Sequence, residues 1–165
     1  MNWESLLTAI LSAVIGAFAG YGFAAYQSAR ERSERRRVLL EQLKAELKSR
    51  FYQDKMPQFI EGKHTFWGVI HIDALPLLLD GRTLTFVKDS DLILSLMKFQ
   101  NALSDHNHFI EVNNVAGLTI TATNAVLNER YEIALFSYNN VISNKNKILS
   151  ILKKYVVDNP TKKSK

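Results

Sequence analysis

Hydrophobic and polar positions divide this chain into segments of different period. From Leu6 to Tyr26 the run LLTAILSAVIGAFAGYGFAAY carries no charged side chain. As a helix at 1.5 Å per residue it spans about 30 Å, the thickness of a bilayer's hydrocarbon core. Arg30, Arg32, Arg35, Arg36 and Arg37 follow it. An uncharged run ending in a basic collar predicts a membrane-spanning helix with its basic side in the cytoplasm. A buried core helix is the competing reading, and the run is long for one. A secretory signal would carry basic residues before the apolar stretch and small ones at a cleavage site. Here Glu4 precedes the stretch, and Phe23 and Tyr26 crowd its end. The pattern therefore predicts a permanent anchor with its N-terminus outside.

The period then changes to that of half-buried helices. No Gly or Pro occurs between Phe23 and Met56, and Leu40, Leu43, Leu47 and Phe51 step by three and four. That predicts one helix leaving the membrane and ending before Pro57. Further on, Leu92, Leu96, Phe99, Leu103, His106 and Ile110 share one face, with Asp89 or Ser90 as cap. This helix is expected over about residues 90–112, broken by Asn113, Asn114 and Gly117. The last stripe is the broadest. Leu127, Tyr131, Ala134, Tyr138, Val141, Lys145, Ile148, Leu152 and Tyr155 predict a helix over residues 122–157, capped by Thr121 or Thr123. Lys145 interrupts that seam, either snorkelling outward or facing a central cavity of an oligomer.

Residues 58–88 have no clear period. Phe66-Trp67-Gly-Val-Ile-His-Ile reads as helix or strand. Asp80-Gly81 between two apolar runs reads either as a hairpin turn or as the end of a helix with Gly81 at its C′ position. The fold class is thus mainly all-α. A transmembrane helix (1–29) leads to a basic juxtamembrane helix (30–56). A cytoplasmic helical domain (57–158), with the small hairpin as its one β candidate, precedes a frayed basic tail (159–165).

Inside the apolar run Ser12, Gly16, Gly20 and Ala24 recur every fourth residue. Such a register lets helices in lipid approach closely, so self-association is expected. The run holds no Asp, Glu, Lys, Arg or His, which argues against a proton relay within it. Over its 165 residues the chain has a formal charge of +5 and no Cys, which excludes disulfides and thiolate metal sites. The juxtamembrane arginines suit anionic lipid and need no long nucleic acid.

Enzyme signatures are absent: no nucleophile elbow, no P-loop, no dinucleotide-binding glycine pattern. No catalytic residue, metal or cofactor is assigned. His106 and His108 flank Asn107; on a helix they diverge, so His106 reads as a core histidine and a two-His metal chelate is disfavoured. Glu61 with His64, and His108 with Glu111, have weak acid–base spacing. The candidate polar site is assembled from Arg82, Thr83, His106, His108, Asn113 and Asn114, with Lys88 a further basic neighbour. Asparagine amides pair with an adenine edge, and basic groups hold phosphate.

A lone N-terminal apolar helix, an arginine collar at Arg30–Arg37 and a compact domain without enzyme motifs resemble the small membrane effectors of type III CRISPR systems. The resemblance covers the plan of the whole chain and rests on no diagnostic motif. It implies a location in the bacterial inner membrane and a homo-oligomer, a tetramer favoured. It also implies a cytoplasmic site for a small nucleotide second messenger, cyclic tetra-adenylate. Binding would then perturb or open the membrane in antiviral defence. The alternative is a membrane-tethered scaffold that binds a partner protein through its amphipathic helices.

Overall fold

A computed structural model describes residues 3–51, 67–119 and 124–157. Among these residues there are four helices and no strand: α1 (Trp3–Ser49), α2 (Ala74–Leu79), α3 (Phe86–Thr119) and α4 (Asn124–Val157). The chain separates into two compact units, Met1–Val38 and Leu39–Lys165. Within the first, α1 carries its apolar side chains bare on every side. Ile15, Phe18 and Tyr21 are 67%, 74% and 76% exposed.

The second unit has one core. The apolar stripes expected of α3 and α4 are buried: Leu92, Leu96, Phe99, His106 and Ile110 on one helix, Ala134, Tyr138, Val141, Ile148 and Leu152 on the other. Leu39, Leu43 and Leu47 of α1 join the same cluster. A fully buried Leu contributes about 1.5–3 kcal/mol over an exposed one, so these stripes hold the helices together.

Three ties fix the direction of α4 against α3. The Phe51 ring lies 6.3 Å from Phe99 of α3, and the Lys145 ammonium of α4 sits 4.8 Å over the same Phe51 ring. His106 Nδ1 is 2.9 Å from Ser137 Oγ. Trp67 is bonded to the Asn114 side chain and packs its ring 6.0 Å from Tyr131. Moving from Phe99 to His106 to Asn114 up α3 means moving from Lys145 to Ser137 to Tyr131 down α4. The pair is an antiparallel hairpin. Lys145, whose seam position left two readings, is buried at 5% exposure with its charge over an aromatic face.

Residues 67–72 are neither helix nor strand, and two asparagines pair the peptide groups of Trp67 and Ile70 among them. Asn107 Oδ1 accepts from Ile70 N at 2.9 Å while its Nδ2 donates to Ile70 O at 2.7 Å. Asn114 does the same for Trp67, at 3.2 and 2.8 Å. A primary amide offers one donor and one acceptor side by side, as a neighbouring strand does. The spacing also matches. Seven helical residues rise about 10.5 Å, a distance that three residues of extended backbone can span. A β-strand, with period two, would turn Trp67 and Ile70 to opposite sides.

The structure corrects several sequence expectations. The hairpin at Asp80-Gly81 is absent: α2 ends at Leu79, and Gly81 takes a positive φ of 76° just beyond the C-cap Asp80. Only glycine adopts that conformation without strain, so the helix-end reading holds. Arg82 N donates to Asp80 Oδ1 at 2.9 Å and tightens the turn. α1 ends at Ser49, short of Pro57, because the chain turns there into two contacts. The Arg50 guanidinium reaches Asp73 at 2.8 Å, and Phe51 enters the core. α3 runs through Asn113, Asn114 and Gly117 to Thr119. Asn114 spends its amide on Trp67 and does not compete with its own helix backbone.

The expected start at Asp89 appears as a break inside α3, with φ −123° and ψ 17°. Its carboxylate, 1% exposed, accepts from Thr85 N at 2.9 Å. Glu46, 7% exposed, accepts from Gln42 Nε2 at 2.8 Å and from Ala74 N, at the first turn of α2, at 3.2 Å. Pro57, the Thr121 and Thr123 caps and the tail beyond residue 157 lie outside the described residues.

Replacing Asn107 by Leu removes both partners of the Ile70 peptide groups. Unmade hydrogen bonds of this kind cost about 1–3 kcal/mol each, so the variant should unfold at clearly lower denaturant and exchange its Ile70 amide much faster. Hydrogen exchange at Ile70 checks this; protection equal to wild type would rule out the clamp.

Candidate functional site

The six polar candidates do not form one cluster within a chain. Arg82 is exposed and Thr83 buried, both in the turn after α2. Asn113 and Asn114 lie far along α3, and the 24 residues from Asp89 to Asn113 rise about 36 Å. A small ligand cannot touch both ends. His108 is exposed, with its ring 6.3 Å from Phe109. Asn114 is committed to Trp67. The pair His108 and Glu111 is solvent-exposed, and His64 with Glu61 lies outside the described residues. No group of three potential metal ligands occurs among the described residues.

His106 is fully buried, as its place on the apolar stripe implies. Its chemistry follows from its partner. Ser137 Oγ donates its one proton to Ala134 O at 2.8 Å. The 2.9 Å contact to His106 Nδ1 therefore has Nδ1–H donating and Ser137 Oγ accepting. Nε2 is left as a bare acceptor, buried and without a hydrogen-bond partner. Burial lowers the imidazole pKa from 6.5 to about 4. A neutral ring suits this place, packed 5.4 Å from Tyr138.

A different group stands out at the far end of the α3–α4 hairpin. Trp67 Nε1, Asn113 Nδ2 and Arg130 Nη1 are buried and have no hydrogen-bond partner among the described residues. Each is a donor, and one belongs to a cation. Leaving a donor buried and unpaired costs about 1–3 kcal/mol, more for a charged group. Asn113 was among the sequence candidates; Trp67 and Arg130 were not. Nothing in the apolar stripe of α4 marks Arg130, since it falls beside Tyr131 and reads as a flanking charge. Asn107, the other asparagine of the clamp, was legible only as the residue between two histidines. The signal that finds it is its spacing of seven from Asn114, which puts both amides on one helix face.

No protein-family model, curated protein or solved structure matches this chain. What it does is therefore argued from its own residues.

The His106 geometry sets a pH dependence. Its folded pKa lies below its unfolded value, so the unfolded chain takes up the proton first as pH falls. The stabilisation is complete above about pH 6.5 and drains away toward about pH 4. Between pH 7 and pH 5 this group alone should cost about 2 kcal/mol. Urea unfolding across that range measures it. His106→Leu should flatten the slope, and an unchanged slope would assign the pH dependence elsewhere.

Proposed function

We propose that this protein is a self-associating single-pass membrane effector. Residues 6–26 cross the bilayer, and Arg30–Arg37 lie at its cytoplasmic face. The helical unit beginning at Leu39 serves as the receiver for a small anionic second messenger. The observation that carries the reading is the state of α1. Its most apolar window has a mean hydropathy of 1.9 and none of it is buried. A helix covering one protein neighbour would be apolar on one stripe. Here Leu7, Leu11, Val14, Ile15, Phe18, Tyr21 and Phe23 are bare around the whole circumference. Water does not tolerate a surface of that size and an acyl-chain environment does.

Self-association draws on the register of Ser12, Gly16, Gly20 and Ala24. A Cβ added at Gly16 or Gly20 meets no atom within 4 Å. Both glycines therefore lie open to a neighbouring helix, where small residues allow close contact. Four copies around one axis would match a four-fold nucleotide such as cyclic tetra-adenylate, and this is the ligand class we favour. Ligand binding can drive a membrane event only if two arrangements of the oligomer bind it unequally.

A second reading, a tether for a partner protein, draws on the exposed apolar side chains Leu94, Met97, Phe109, Val112 and Val115 along one side of α3. The two are separated by reconstitution. Vesicles carrying the wild-type protein and a trapped dye should leak when cyclic tetra-adenylate is added. The double variant Gly16→Leu, Gly20→Leu should stay membrane-bound, lose its cross-linked oligomers and leak little. Intact vesicles with wild-type protein at saturating nucleotide would favour the tether.

A further inference from the structure

Three buried nitrogen donors without partners lie at one level of the α3–α4 hairpin, apart from Thr83 Oγ1 in the turn after α2. His106 faces Ser137 across the hairpin. Two helical turns from His106 toward the connecting end lies Asn113; two turns from Ser137 in the opposite chain direction lies Arg130. Seven residues bring an α-helix back to nearly the same face, so Asn113 and Arg130 stand at one level of the α3–α4 seam. Trp67 is held at that level by its neighbours on both sides. Its backbone is clamped by Asn114, adjacent to Asn113, and its ring packs 6.0 Å from Tyr131, adjacent to Arg130. Trp67 and Asn113 are each only 6% exposed, and Trp67 Nε1, Asn113 Nδ2 and Arg130 Nη1 all lack a partner.

Unpaired donors at one level, with a guanidinium among them, call for an acceptor carrying negative charge. Among the described residues, the nearby carboxylates Glu111, Glu129 and Glu132 are solvent-exposed. We propose that Trp67 Nε1, Asn113 Nδ2 and Arg130 Nη1 form a binding site for a phosphate-type oxyanion at the Asn113–Arg130 level of the α3–α4 hairpin. The indole and the amide each offer a directed N–H, and the guanidinium supplies the charge. A phosphodiester of a soluble nucleotide and the headgroup of an anionic lipid share this chemistry. The site deepens the receiver reading above but is detectable without any membrane event.

The chain has two tryptophans, Trp3 and Trp67. In the full-length Trp3→Phe protein, held in a neutral detergent, Trp67 is the sole indole and reports on its own N–H. Inorganic phosphate, compared with chloride at equal ionic strength, should shift its emission and raise the thermal midpoint. Arg130→Gln should weaken the phosphate response about tenfold or more, the worth of a charge-assisted hydrogen bond. Asn113→Leu should weaken it less and serves as the second variant. Without phosphate, Arg130→Gln should be about as stable as its parent, because the Nη1 it removes makes no hydrogen bond.

Competition by cyclic tetra-adenylate at far lower concentration would assign the oxyanion to a soluble nucleotide. A response to phosphatidylglycerol vesicles, with none to phosphatidylcholine, would assign it to lipid. Either supports the site. Absence of any response to phosphate, nucleotide and anionic vesicles would overturn it, as would a response that Arg130→Gln leaves unchanged. The Gly16→Leu, Gly20→Leu variant should keep the phosphate response, so a failed effector reading and a failed site give different results.

Discussion

The second unit depends on how a six-residue segment without regular structure buries three of its side chains. A segment such as Trp67–Ile72 brings its peptide N–H and C=O groups with it, and each must find a partner. Neither helix nor sheet supplies one here. Asn107 and Asn114 do, each offering one acceptor and one donor to a single residue. With the peptide groups of Trp67 and Ile70 paired, the apolar side chains can be spent on the core. Trp67, Ile70 and Ile72 are all buried. An apolar residue at either asparagine would leave the same side chains as hydrophobic but strand the backbone beneath them.

Much of this fold is legible in the sequence because helices declare themselves by period. The stripe from Leu92 to Ile110 is buried throughout, and the one from Leu127 to Tyr155 is buried from Ala134 to Leu152 with Leu127, Tyr131 and Tyr155 half-buried at its ends. The Asp89 break falls where a cap was expected. What the period does not carry is chemistry between distant segments. Asn113 and Asn114 look like helix breakers because isolated asparagines prefer turns. They stay helical once a remote peptide or the hairpin seam surrounds them. The Asp80-Gly81 pair fits a hairpin and a helix end equally well. The choice falls to tertiary contacts: Glu46 at the first turn of α2 and a left-handed Gly81 past its last. Residue type and crowding in sequence are what pick out the polar candidates. Residue type finds Asn113, but only the antiparallel register of α3 and α4 shows that its neighbour is Arg130.

Buried polarity in this domain falls into two kinds. Asp89 and Glu46 are charged and nearly inaccessible, yet each accepts backbone N–H bonds that hold a helix start in place. Lys145 is buried over Phe51, where the ring face offsets some of its lost hydration. These groups serve the fold. His106 Nε2, Thr83 Oγ1 and the donors of Trp67, Asn113 and Arg130 have no such partners. Native cores leave few groups in that state, since each works against a total stability of only about 5–15 kcal/mol. Three like-natured orphans at one level are harder to assign to packing than a lone Nε2 beside an aromatic ring.

Trp67 belongs to both arrangements, and this gives the proposed site a physical connection to the rest of its unit. Its peptide groups are tied to Asn114 and its indole N–H is a donor of the oxyanion site. The segment continues through Ile70, held by Asn107, to Asp73, which pairs with Arg50, and to Ala74, whose N–H is bonded to Glu46. Arg50 and Glu46 flank the last residues of α1. An occupant that stabilises the Trp67 end therefore stabilises a strap whose other end grips the final turn of that helix. By linkage, the stabilisation equals RT ln(1 + [L]/Kd) and acts on whatever opening frees the strap. Continuity of contacts alone does not make a signal. It becomes one when the occupied and the empty strap favour different settings of α1, and the Arg50–Asp73 and Glu46–Ala74 contacts are where those settings would differ.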